Sequence, residues 1–243
     1  MKLLLIRHGD PDYENDCLTP TGKREAELLA GRIAPLPIKD YYVSTMGRAM
    51  ETAAPTLRMA GRKAVACDWL REFQVPCARP DKGGELYHIP WDWLPQDWLA
   101  DPILLDPFRW HENEVFARSE VRAAYDRVCA EFDRVLAEHG YVRDGLWYRA
   151  ERPNTDMLAF FCHFGLSCVL MSHLMNCSPM VLWHGLAMAP TSVTVINTEE
   201  RRPGIASFRT AAAGDISHLS AAGQPPSFSA RFCEIYGNGE RQD

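Results

Sequence analysis

A short apolar run, Leu3-Leu4-Leu5-Ile6, stops abruptly at Arg7-His8-Gly9, and a helix start follows at Thr19-Pro20. A run this short reads as a strand buried on both faces that opens into a loop. Thr19 suits an N-cap and Pro20 a first helical residue, and Ala26, Leu29, Ala30 and Ile33 recur at helical spacing. The same order then repeats. Residues 40–44 read as a second strand, residues 48–60 as a helix with Ala49, Ala53, Leu57 and Ala60 on one face, and residues 63–67 as a third strand. Strands alternating with helices place the chain in the α/β class, with a mainly parallel sheet covered on both faces.

Further along, Val121, Ala124, Val128, Phe132 and Val135 mark an amphipathic helix within about 114–138. Residues 156–162 form another apolar strand, followed by a helical run through Leu166, Val169, Leu170 and Leu174. Residues 192–197 and 205–210 flank a polar turn and read as an antiparallel edge hairpin. The expected architecture is a three-layer α/β/α domain over residues 1–243, with no linker to divide it. Periodicity fails between Glu72 and Glu114, where Trp91, Trp93, Trp98 and Trp110 sit among prolines. A loop of that length in a compact domain is usually a lid, so we expect a cap inserted at about 73–150.

The 26 basic and 32 acidic residues give a net charge of −6, which offers no help to nucleic acid or an anionic membrane. No apolar stretch approaches the roughly 20 residues of a membrane-spanning helix, and Arg7 ends the N-terminal run too early for a signal peptide. A cytoplasmic protein is expected. The eight cysteines contain no C-x-x-C pair, which reads as reduced, mostly buried thiols. A homo-oligomer is compatible with this composition.

In open parallel sheets, ligands bind at the carboxyl ends of strands. His8 and His163 sit at two such ends; Arg7 accompanies the first, and Arg48 opens the helix after the second strand. The blocks are Arg7-His8-Gly9, then Ser44-x-x-x-Arg48-Ala49-x-x-Thr52-Ala53, then Leu70-Arg71-Glu72, then Cys162-His163-Phe164-Gly165. In that order, with Leu18-Thr19 and Gly22 between the first two, they resemble the histidine phosphatase superfamily, which includes cofactor-dependent phosphoglycerate mutases and many phosphomonoesterases. The tripeptide alone is a weak signal; the ordered set over residues 3–198 is a strong one.

The resemblance implies a phosphomonoester hydrolase acting through a phosphohistidine on a small phosphorylated metabolite, without metal or other cofactor. His8 would attack phosphorus. Arg7, Arg48 and His163 would hold the equatorial oxygens, with helix amides near Gly47 and Gly165 as further donors. Glu72 would protonate the leaving alkoxide and then activate water. Each residue also has a plainer reading: His8 and His163 as packed histidines, Arg48 as an ion-pair partner of Glu51 or Glu72, Glu72 as a loop carboxylate. Asp10, Thr19 and Ser44 are read as capping or supporting groups, and the cap tryptophans as packing.

The sequence departs from the family where Asp10-Pro11 replaces the frequent Glu-Thr after R-H-G, and where Phe164 replaces the first glycine after the second histidine. The short loop 10–17 favours a phosphatase over a mutase. Two alternatives stay open: a phosphoglycerate-type mutase and a non-catalytic phosphate-binding protein. No cysteine has an arginine six residues later, which excludes a cysteine phosphatase, and Asp10-x-Asp12 matches only half of an aspartate-nucleophile motif. Phosphate-loop, dinucleotide and zincin motifs are absent.

Overall fold

The computed structural model describes residues 1–83, 86, 87, 89–227 and 235–237. Its frame is an eight-stranded sheet built from β1 (Lys2–Arg7), β2 (Ile38–Ser44), β3 (Val65–Cys67), β4 (Tyr141–Asp144), β5 (Trp147–Ala150), β6 (Met157–Cys162), β7 (Val193–Arg202) and β8 (Ile205–Asp215), in the order β3-β2-β6-β1-β7-β8-β5-β4. The first four in that order run parallel, and each of the rest is antiparallel to its neighbour. A two-stranded ribbon, Pro11–Asp12 with Cys17–Leu18, folds the loop after β1.

Strand alternation sorts β1 between two cores. Leu4 and Ile6 pack with Leu29 and Ile33 of α1 (Pro20–Ile33) and with Ala49 and Ala53 of α2 (Gly47–Ala60). Leu3 and Leu5 face the larger core, with Phe132 of α3 (Val121–Glu138), Leu166 and Leu170 of α4 (Phe164–Met175), and Trp183 of α5 (Pro179–Gly185). Each fully buried aliphatic contributes about 1.5–3 kcal/mol. The helices therefore lie on both faces, as the alternation of elements predicts. Thr19 caps α1 through a hydrogen bond to its Oγ1 from the Gly22 amide at 3.0 Å; loss of such a cap costs about 1 kcal/mol.

Within residues 73–150, the described part before α3 holds two-residue strands, a four-residue helix at Pro95–Trp98 and short 3-10 turns, packed around Trp93, Trp110 and Phe116. The part from Val121 onward supplies α3 and the strands β4 and β5. The β7–β8 hairpin is thus not the outer edge of the sheet; β5 and β4 extend beyond it. Among the described residues no helix is long and apolar enough to cross a membrane. Five of the seven described cysteines are buried and all seven are free thiols; Cys233 lies outside the described residues.

Candidate active site

The register of the parallel strands assembles the site. Arg7 pairs with Cys162 across β1 and β6, so the residues that follow, His8 and His163, leave the sheet side by side at its carboxyl edge. Their rings lie 5.1 Å apart at 56°. On the other flank of β6, β2 ends at Ser44, whose Oγ is 2.8 Å from His163 Nε2. Arg48 is the second residue of α2, which starts just past that strand. Arg7, Arg48 and Glu72 line one cleft beside these rings.

His8 is buried, and its Nδ1 lies 2.8 Å from the Gly9 carbonyl oxygen. A carbonyl only accepts, so Nδ1 carries the proton and donates it, and Nε2 keeps its lone pair. Burial, then the Arg7 charge, and more weakly Arg48, hold the ring well below the usual imidazole range. His163 is pushed the same way, first by burial and then by His8, Arg48 and Arg7. Its Nδ1 is buried with no hydrogen-bond partner, and so is Nε of Arg48. Orphaned buried polar atoms cost about 1–3 kcal/mol each, so two of them beside a neutral imidazole are a site prepared for a polar guest.

Arg48 does not pair with Glu51 or Glu72. Its Nη1 meets Asp16 Oδ1 at 2.5 Å, while Asp16 Oδ2 accepts the Gly47 amide at 2.8 Å; Glu51 instead accepts the Leu18 amide. The Tyr13 ring covers the same guanidinium, 5.4 Å from its carbon. Arg7 is fixed through Nη1 to the Met188 carbonyl. Asp16 gave no signal in the sequence, because the charge it steadies lies 32 residues away.

Glu72 is half-buried against the start of α4. Its Oε1 accepts the Phe73 and Leu166 amides at 2.8 and 3.0 Å, and Oε2 accepts the Gly165 amide at 3.4 Å. Burial raises its carboxyl above the ordinary range, while these hydrogen bonds and the Arg7 and Arg48 charges pull it back. This corrects one expectation: the amides at Gly47 and Gly165 are committed to the carboxylates of Asp16 and Glu72 rather than offered to an anion. Thr19 and Asp10 support the loop, with Thr19 Oγ1 donating to Asp10 Oδ2 at 2.7 Å. The Gly9 amide donates to Thr52 Oγ1, which in turn donates to the Arg48 carbonyl, tying the segment after β1 to the start of α2. Thr52 stood in the sequence blocks without an assigned role.

The family profile of the histidine phosphatase superfamily, branch 1, matches residues 3–210. The chain belongs to the histidine phosphatase superfamily. Among relatives, a 2,3-bisphosphoglycerate-dependent phosphoglycerate mutase of Thermoplasma acidophilum is 31% identical over 93 residues, 34% of this chain and 46% of that protein. The mitochondrial serine/threonine-protein phosphatase Pgam5 of Caenorhabditis elegans is 49% identical over 55 residues, 21% of this chain and 19% of that protein. The chain thus spans less than half the length of either relative. A solved phosphoserine phosphatase mutant from Entamoeba histolytica, in complex with phosphoserine, covers 90% of this chain and 98% of its own at a TM-score of 0.59 and 16% identity, which is a likeness of fold. Among the described residues of this superfamily member, no group of three or more His, Cys, Asp or Glu side chains could hold a metal ion.

Proposed function

We propose that the protein is a metal-independent phosphomonoester hydrolase that acts through a phosphohistidine at His8 on a small phosphorylated metabolite. The observation that supports it most is the locked tautomer: a neutral ring with Nδ1–H held by Gly9 and a lone pair on Nε2, flanked by two guanidiniums. In the first step Nε2 attacks phosphorus in line, the ester P–O bond breaks, and the leaving alkoxide takes the proton of Glu72. Arg7 and Arg48 neutralise charge on the equatorial oxygens, and neutral His163 donates a hydrogen bond to them from Nδ1. In the second step Glu72 takes a proton from water, the water oxygen attacks phosphorus, and the P–N bond breaks to return neutral His8.

The superfamily to which the chain belongs and its phosphatase relative support hydrolysis over simple phosphate binding, while the orphaned polar atoms beside His8 support a phosphate guest in either case. The test compares wild type with His8→Ala on 4-nitrophenyl phosphate in the presence of chelator. We expect phosphate release by wild type, unaffected by chelator, and a loss of about 10³-fold or more in the variant. Equal rates in the two would leave only binding. Net isomerisation of a phosphorylated sugar acid without phosphate release would favour a mutase instead.

A further inference from the structure

The cleft that opens beside the phosphate-gripping residues encloses about 690 Å³, far more than a phosphoryl group needs and within the range of small-molecule sites. Its chemistry is uneven. Aromatic rings dominate the walls: Tyr13, Trp91, Trp98, Phe164 and Trp183 all line it. They brace one another. Trp91 meets Phe164 edge-on at 6.3 Å and lies tilted to Trp183 at 6.0 Å. Trp98 stacks on His184 at 5.0 Å and 17°. Trp183 is anchored by its indole N–H on the Gly165 carbonyl.

Trp91 is seated by the backbone of the catalytic helix itself. A Cβ added at Gly165 would lie 2.3 Å from its six-membered ring, so only glycine admits the indole this close to His163 and Glu72. The aromatic wall therefore begins where the phosphate grip ends.

Charge is as informative. Among the described residues lining the cleft, the charged side chains are Arg7 and Arg48, already committed to the phosphoryl oxygens, together with Glu72 and Asp92. Asp92 pairs with Arg79 at 3.7 Å. His184 offers no cation. Its Nδ1–H donates to the Met180 carbonyl, and its Nε2 accepts the Trp93 amide, an arrangement that a second ring proton would break. Among the described residues lining the cleft, no further cation is placed to receive a carboxylate or a second phosphate on the leaving group; Arg71, whose charge reaches His163, donates to Thr45 Oγ1 outside that lining.

We propose that this cleft is a leaving-group subsite for a phosphomonoester whose alcohol carries a flat aromatic ring and no second anionic group, with Trp91, Trp98 and Tyr13 as its specificity-determining residues. The ring stacks on the indoles while the ester oxygen sits within reach of Glu72. This rests on the hydrolase reading for its catalytic readout, but the binding preference stands separately.

The test pairs turnover with binding. Hydrolysis of 2-phenylethyl phosphate is compared with that of glycerol 3-phosphate and phosphoserine, all esters of aliphatic alcohols, so leaving-group acidity does not decide the ranking. Affinity for the same three is measured on His8→Ala by calorimetry and by quenching of indole fluorescence. We expect KM and Kd for the phenylethyl ester at least about tenfold below those of the other two. We also expect Tyr13→Ala and Trp98→Ala each to remove most of that margin, with inhibition by vanadate held within about twofold in Trp98→Ala, whose ring stacks on His184 rather than on the phosphate-gripping side chains. Tyr13 is largely exposed, so its variant keeps the fold even if a tryptophan variant does not. Equal affinities, or a preference for phosphoserine, would overturn the subsite while leaving hydrolysis standing. Selective binding without phosphate release from any ester would uphold the subsite and sink the hydrolase.

Discussion

His8 and Glu72 are poised in opposite senses, and their pH dependence follows from that. Burial and two arginines lower the imidazole well below 6.5, whereas burial raises the carboxyl above 4.5. In the proposed mechanism, attack needs His8 neutral, which holds above its lowered pKa; departure of the alkoxide needs Glu72 protonated, which holds below its raised one. Activity should therefore peak on the acid side of neutrality, and Glu72→Gln should lose about 10²–10³ in kcat together with the alkaline limb. A rate profile with its maximum above pH 7, or a limb unchanged in the variant, contradicts this. Asp16 supplies a second residue-scale prediction. Asp16→Ala should raise KM and weaken vanadate inhibition by about tenfold, because Arg48 loses the carboxylate that orients it, while Asp16→Asn retains an acceptor and loses less. Asp16 was invisible in the sequence because its partner is brought near only by the fold; His8, Arg48 and His163 were visible because each follows a recognisable element end.

At the scale of elements, Glu72 also serves as the N-terminal cap that α4 lacks, since His163 in the capping position makes no side-chain hydrogen bond to the helix amides. Removing that cap should separate stability from chemistry. Glu72→Ala should cost about 1–2 kcal/mol in denaturant unfolding, whereas Glu72→Gln, which keeps an acceptor at the helix start, should stay within about 0.5 kcal/mol of wild type despite its lost activity. Gly165→Ala drives a methyl into Trp91 and should cost about 1–3 kcal/mol through displacement of the indole. The elements legible in the sequence were those with local punctuation: α1 behind Thr19-Pro20, and β6 as an apolar run. The strands β4 and β5 were not, because four residues each around Gly145 are too short to show a period. The seating of Trp91 on Gly165 is a long-range packing event that no local pattern encodes.

For the whole molecule, burial keeps five imidazoles neutral: His8, His139, His163, His184 and His218. The unfolded chain protonates them near pH 6.5, so the native state binds fewer protons below that point, and stability falls as pH drops from about 6.5 toward the folded values. His218, lowered to about 4, alone accounts for at most about 3 kcal/mol of this loss. Glu25 and Glu72, both raised by burial, act in the other direction: their stabilisation is present below 4.5 and lost as pH rises through the folded values. Five imidazoles outweigh two carboxyls, so Tm should fall between pH 7 and pH 4.5, and His218→Gln should flatten the slope; a flat Tm over that interval would count against it. The acid conditions expected to favour turnover are thus the ones expected to lower Tm.

The sheet divides its labour unequally. Every described residue lining the cleft comes from the parallel half or the loops around it, and none from β4, β5, β7 or β8. The turn that joins β7 to β8, at Pro203-Gly204, is exposed and outside the cleft lining, and its backbone tie to β5 is the Gly204 carbonyl accepting the Ala150 amide at 3.1 Å. It is therefore a natural splice point: a reporter peptide or affinity handle grafted there would ride on the hairpin as a passenger, and turnover would not register its presence.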